Sequence, residues 1–556
     1  MNIKPLQLAI PSPEQAAWQD LELGMFIHYA PNTWCNEEKD DLSVPLDRIN
    51  PAKLDTEQWV RVAEAMGARY IVFVAKHVGG FCWWPTVTTD YSVKGIPWRD
   101  GKGDVMRDLS ESCRRRGMKL GVYLSPADGK HGAGICGKCK TEAEQEAYDR
   151  VYRQQLTELL SGYGELMEVW FDGSLVVEVG DILKKHAPHA MIFQGKYATI
   201  RWIGTESGHA PYPAWNAVSS KKNPTKWDVM TAFDGDPNAD KWLPNEVGTV
   251  NAVPHAWFWN ALPGRCLKTL DELMEVYYRS VGHGAVLLLN QTPDPSGLIP
   301  EADAKLAAGF GAEIKRRFGQ CVAESKGTGD VLELDLGEIR KIDHVITMED
   351  ITRGERVREY VIEGYMDGAW KKICQGTAIG HKKIDFFKQV KVRKIRLRNL
   401  LSADTPVIRK LAVYNTGAAL ILGVDHDPDT GIAIARSAEQ NLDKCKYRRI
   451  GSWNQGSFKK GKAVIEMDVT SICSDATQYE IAFQKISGAE DVNILELSFV
   501  FEGIEVGHFI QPTHDSNVYD LNVTGLGKSM VLRATISSGG GSDTCGDILI
   551  RHKPLD

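Results

Sequence analysis

The chain has 556 residues, too many for one hydrophobic core, and domains of ordinary size would divide it into about three. Hydrophobic residues make up 43% and charged residues 25%, an ordinary globular balance, and no apolar run reaches the length of a membrane span. A net charge of −7 over this length gives neither nucleic acid nor an anionic membrane a reason to bind.

In chain order, residues 1 to about 320 alternate short apolar strands with helical stretches, the pattern of a parallel α/β domain. The first residues, Met1 to Gln7, have no apolar signal core. As written the chain reads as cytoplasmic, and as periplasmic or secreted if its start was trimmed. Gly24–Tyr29 reads as the first strand. Asp55–Met66 reads as a helix with Trp59, Val62, Ala63 and Met66 on one face. Ala68–Lys76 is the second strand, and a helix from Asp104 to Arg116 stops at Gly117. Met118–Ser125 is the third strand and Glu142–Leu160 a long amphipathic helix. Met167–Phe171 is an almost wholly apolar fourth strand, as a sheet covered on both faces requires. Ala190–Gln194 and Ile200–Gly204 follow, then a weak strand near Val229–Phe233. Leu270–Val281 reads as a helix, Ala285–Asn290 as the last strand, and a further helix begins at Glu301. The count comes close to eight strand–helix units, a (β/α)8-like TIM barrel over residues 1–322.

Near Ala323 the texture changes. Residues 323–416 carry short β-rich runs separated by turn residues, which predicts a β-sandwich. A second β-rich block over 417–556 predicts another sandwich domain. Its glycine-rich run at 537–543 reads as a connection, not a phosphate cradle, because no helix follows it.

Eleven cysteines, scattered and odd in number, favour reduced thiols over a disulfide framework. Cys136 and Cys139 form one close pair, but zinc would want a second pair and only His131 lies near. A glycine-rich loop is the reading there, and no metal or organic cofactor is expected.

Polar residues at strand ends carry the chemistry. Asp172 follows the fourth strand and Gly173 breaks it, so its carboxylate points into a barrel mouth or caps the next helix. His28 ends the first strand, Lys76 and His77 the second, and Asn290 the last. Thirteen of the fifteen tryptophans precede residue 320. Aromatic faces stack on sugar rings, so Trp84 and Trp257 in loops, with Tyr123 and Trp170 on strands, are candidates to bind a carbohydrate. Two carboxylates flanking one bond are what glycoside hydrolysis requires. The second is Glu206, after the sixth strand, or Glu246, read as lying in a loop.

Six stretches in this order and spacing carry a resemblance. They are LGMFIHYA (23–30), AKHVGGFCWWPTVTTDYSV (75–93), GMKLGVYLSP (117–126), QLTELLSGYG (155–164), EVWFDG (168–173) and LLLNQTPDPSGLIP (287–300). The first 320 residues resemble the catalytic domain of glycoside hydrolase family 29, the retaining α-L-fucosidases. The 324–416 block is similar to the galactose-binding-like (discoidin) modules that follow such domains.

The resemblance implies that Asp172 is the nucleophile and that His28 and His77 hold sugar hydroxyls. In one branch of the family the acid/base lies in a motif like RWIGTESG, here Arg201–Gly208. That points to Glu206, with Glu246 as second choice. One departure is plain: the family often has a second histidine and then an acidic or polar residue where this chain has Val78 and Gly79.

The expected activity is a retaining exo-glycosidase acting on terminal α-L-fucosyl residues of a glycan, without cofactor. The alternatives are the same mechanism on another sugar such as an α-L-galactoside, or a catalytically weak carbohydrate-binding homologue.

Overall fold

The structure is a computed structural model that describes residues 8–38, 40–221, 235–253, 256–262 and 265–418, and beyond them the strand segments of the last block. The chain divides into two compact units, one of residues 1–203 and 208–437, the other of residues 204–207 and 438–556.

Eight parallel strands form the barrel: β1 (Leu23–Ile27), β2 (Tyr70–Lys76), β3 (Lys119–Leu124), β4 (Glu168–Trp170), β5 (Met191–Phe193), β6 (Arg201–Trp202), β7 (Asn245–Thr249) and β8 (Val286–Gln291). Their spatial order is β5-β4-β3-β2-β1-β8-β7-β6, and a parallel bridge from Phe193 to Ile200 joins the two ends. Side chains alternate across this sheet because successive residues of a strand point to opposite faces. Met25, Ile71, Val122, Val169 and Leu287 pack outward against helices. Phe26, Val72, Tyr123, Trp170, Phe193 and Leu288 fill the lumen.

The helices carry the caps their sequences announce. Helix α2 (Thr56–Met66) starts at Asp55, whose side chain accepts from Glu57 N, and stops at Gly67 with φ 85°. Helix α3 (Val105–Arg116) is capped likewise by Asp104 and Gly117. Helix α4 (Glu142–Gly162) opens with a reciprocal Thr141–Glu144 capping box. Before the barrel, the short helix α1 (Pro13–Gln19) closes its amino end, with Trp18 pushed into the lumen cluster.

Two expectations need correction. Among the described residues no helix follows β5 or β6, so the strand–helix alternation is incomplete there. The seventh barrel strand is Asn245–Thr249; the expected strand at 229–233 lies outside the described residues. Most of the 537–543 run lies outside them too, while Ser537 and Ser538 end a strand.

After helix α5 (Glu301–Phe318) comes a β-sandwich built on a six-stranded antiparallel sheet. Ile342, Tyr360, Ile395, Leu397 and Leu411 lie at its core. Buried polar contacts seat it on the barrel. The Tyr212 hydroxyl donates to Ala378 O (2.8 Å) and accepts from Ala378 N, and Asn216 donates to Glu355 through both its backbone and its side chain. Among the described residues the last block forms two four-stranded antiparallel sheets. Cys136 and Cys139 are free thiols, whereas Cys266 is disulfide-bonded, so the cysteines are not uniformly reduced. No described helix is long and apolar enough to cross a membrane.

Candidate active site

Strand β4 sets the site. Glu168 and Trp170 face the lumen, Val169 and Phe171 face the helices, and Asp172 continues the alternation at the carboxyl end. There the chain turns sharply, with Gly173 and Ser174 at φ 72° and 78°. Gln194, just past β5, fastens the turn: its side-chain oxygen accepts from Gly173 N (2.7 Å) and Ser174 N (3.3 Å). Asp172 is exposed to solvent, and its Oδ2 accepts from the Tyr123 hydroxyl at 2.9 Å. Burial and the Asp172 charge hold the Tyr123 phenol well above its usual value, so it stays protonated and donates.

Around this carboxylate stands an aromatic ring of residues. His28 is buried, and its Nδ1 lies 3.0 Å from Asn290 Oδ1. Asn290 Nδ2 donates to Trp257 O at 2.8 Å. The amide orientation this fixes makes Oδ1 the acceptor, so His28 Nδ1 carries a proton. Trp257 lies over His28 with ring centroids 4.8 Å apart, and its backbone N–H donates to Glu38. His77 stacks on Tyr123 at 5.8 Å. Burial pushes its imidazole down to about 4, so it is neutral at ordinary pH, and its Nδ1 has no hydrogen-bond partner. His28, His77, Tyr123, Asp172 and Trp257 thus come together at one mouth.

Sequence reasoning missed Phe258, which packs edge-on against both His28 (5.4 Å) and His77 (4.9 Å). The signal was present in the Trp257-Phe-Trp259 run, where only the tryptophans drew attention. Lys76 faces away from the lumen. Its Nζ donates to Asp128 (2.8 Å) and Gln155 (2.9 Å), bracing the loop behind His77.

Three expected binding residues stand elsewhere. Trp84 is 2% exposed behind the sheet, where its indole donates to Glu158 of α4 at 2.7 Å; it is core, because the strand-to-helix loop folds down over the barrel wall. Trp170 lies below the mouth, face to face with Phe193 at 3.5 Å, and supports Tyr123 from beneath. Glu246 is no loop residue. It is fully buried in β7, near the amino end, and accepts from the Tyr70 hydroxyl at 3.1 Å.

Glu206 sits four residues past β6, partly buried, in a segment flanked by Gly204 and Gly208 at φ 100° and 86°. That segment, residues 204–207, belongs to the second compact unit. The glycine at 79 has a local reason: a Cβ there would fall 2.1 Å from Asp40 Oδ2. Only glycine fits beside that carboxylate. Among the described residues no cluster of three or more His, Cys, Asp or Glu is arranged to hold a metal ion.

Known proteins with this architecture are consistent with such a site. The α-L-fucosidase family profile matches residues 41–317, and the F5/8 type C domain profile matches 320–410. Alpha-L-fucosidase 1 of Arabidopsis thaliana is 30% identical over 456 residues, covering 73% of this chain and 88% of that protein. A glycoside hydrolase 29 family member from an unknown rumen bacterium superposes with a TM-score of 0.71 at 27% identity, over 99% of this chain and 100% of its own. A family 29 fucosidase of Ruminococcus gnavus, solved with fucose bound, gives a TM-score of 0.64 at 25% identity over 74% of this chain and 97% of its own.

Proposed function

We propose, from the premise that this chain belongs to the α-L-fucosidases of glycoside hydrolase family 29, that it removes terminal α-L-fucosyl residues from glycans with retention of configuration. Asp172 attacks the anomeric carbon and forms a glycosyl-enzyme. Glu206, protonated, gives its proton to the leaving oxygen and then takes one from the incoming water.

One observation carries the reading. Asp172 stands at the carboxyl end of a barrel strand, open to solvent, with the Tyr123 hydroxyl 2.9 Å from its Oδ2. A phenol donating to a carboxylate oxygen favours the ionised form that acts as a nucleophile. His77 suits a sugar hydroxyl, since a neutral imidazole both donates and accepts, and His28 lies beside it at the same mouth. Trp257 and Phe258 offer apolar faces to the sugar ring and its methyl group.

The test is hydrolysis of an aryl α-L-fucoside beside an aryl α-L-galactoside, with the first-formed sugar followed by NMR. Release of α-fucose first supports the proposal. β-Fucose first would overturn retention, and cleavage of the galactoside alone would overturn the sugar assignment.

A further inference from the structure

The lower lumen holds a second pair of carboxyl groups, outside the mouth. Glu168 opens β4, Glu246 lies in β7, and both are fully buried. Both face the lumen of the barrel, and each carboxyl acts on the ionisation of the other. Among the described residues neither has a cationic partner. Two buried carboxylates without a cation cannot both be ionised.

The hydrogen-bond pattern says which one holds the proton. Both oxygens of Glu168 accept indole N–H groups, Oε2 from Trp18 at 2.8 Å and Oε1 from Trp170 at 2.7 Å. An indole only donates, so Glu168 is the carboxylate. Glu246 accepts from Tyr70 at Oε2, while its buried Oε1 has no acceptor role assigned by any donor. That oxygen is the one left to carry a proton and donate it to Glu168.

We propose that Glu168 and Glu246 share one proton, lodged on Glu246, and that this pair positions the floor beneath Asp172. The route is short. Glu168 holds the Trp170 indole, Trp170 stacks under Tyr123 with centroids 6.0 Å apart, and Tyr123 donates to Asp172. The inference rests on the reading of Asp172 only for its effect on catalysis.

The groups facing the pair are few. From β2 comes the Tyr70 phenol, held protonated by burial and by both glutamates. From α1 comes Trp18 and from β5 Met191, neither of which titrates. Arg201 on β6 turns its Nε to Asn245 instead. Glu22, before β1, is engaged by Lys382. Burial, and for Glu246 the charge of Glu168, raises both carboxyls above the usual range. The unfolded chain gives up its protons near 4.5, the folded chain later, so this pair makes the fold lose stability as pH rises above 4.5.

Glu246→Gln mimics the shared-proton state at every pH: its amide donates permanently to Glu168 and its oxygen still accepts from Tyr70. Expected results are unchanged kcat and KM near neutrality and an alkaline limb of kcat and of Tm moved up by about one pH unit or more. Glu168→Gln should instead lose activity at all pH, because one of its two indole donors would meet an amide NH2. Infrared spectra of the wild-type protein should show a protonated-carboxyl stretch at neutral pH that Glu246→Gln lacks. Superimposable pH profiles for wild type and Glu246→Gln would overturn the positioning role. Absence of that band from the wild-type protein would overturn the shared proton even if a variant fails to fold. Both the band and the Tm profile are independent of whether Asp172 is the nucleophile.

Discussion

Strand β4 carries two carboxylates on the same side, four positions apart, with opposite surroundings. Asp172 is exposed at the carboxyl end and accepts a hydrogen bond from the Tyr123 phenol there. Glu168, at the amino end, is fully buried under Trp18 and Trp170. The side chains differ by one methylene, so chemistry does not separate them. Position does: in a parallel barrel the loops that follow strands open one end, while α1 plugs the other. A carboxylate becomes reactive where water and substrate reach it and becomes a structural acid where they do not.

The strongest way to break this contrast is at Asp172 itself. If Asp172 is the proposed nucleophile, Asp172→Ala should lower kcat on an aryl α-L-fucoside by at least about a thousandfold, because the proposal gives it the bond to the anomeric carbon. Added azide should yield no product of retained configuration. Turnover near the wild-type rate would remove the functional difference between the two ends of the strand.

The acid/base comes next. Glu206→Ala should slow natural glycans by about a hundredfold or more and aryl fucosides by less, since a good leaving group needs no proton. Azide should restore the rate and give an α-fucosyl azide, of retained configuration, by attacking the glycosyl-enzyme from the face opposite Asp172. Glu246→Ala should behave differently. It strips the buried Glu168 carboxylate of its proton donor and so should lower Tm, with no azide rescue. The reverse pattern would transfer the acid role to Glu246.

How far the sequence reached follows from what each strand had to display. Strands β1 to β4 were legible because their lumen and outer faces are both apolar. The ends of β1, β2 and β4 then marked His28, His77 and Asp172. Strand β7 was not, because Asn245-Glu-Val-Gly-Thr249 breaks the apolar run with a buried glutamate and a glycine. Its one carboxylate therefore looked like a loop residue. The need that Glu246 answers comes from Glu168 and Tyr70 on other strands, which no local pattern records. Trp84 misled for a related reason: a loop after a strand can rise to the mouth or fold down over the wall, and only Glu158, 74 positions away, shows which.

The contrast can be sharpened at its middle layer. Tyr123 is buried in the lumen yet touches Asp172, so it joins the two ends. Tyr123→Phe keeps the stacking with Trp170 and removes only the hydroxyl. A hydrogen bond to a charged group contributes about 1.5–3 kcal/mol, and the exposure of Asp172 places this one at the lower end. kcat/KM should fall about tenfold with little change in Tm. A fall in Tm without a fall in kcat/KM would make Tyr123 part of the buried floor alone.

The smallest expected effect lies at His77, where solvent meets the aromatic wall. Burial lowers this imidazole from 6.5 to about 4. Between those values the unfolded chain takes up a proton that the folded chain refuses, so the fold loses stability as pH falls through that window. His77→Gln removes the titration. Because the residue is partly exposed, the slope it contributes should be less than about 1.4 kcal/mol per pH unit. Urea unfolding of both proteins at pH 7 and pH 5 reads it directly: the variant should gain on the wild type at the lower pH. A gap between them that stays constant would mean that His77 titrates normally in the fold. It would then be charged at mildly acidic pH, as groups wetted by solvent are, and the dry wall beside Asp172 would shrink to His28, Trp257 and Phe258.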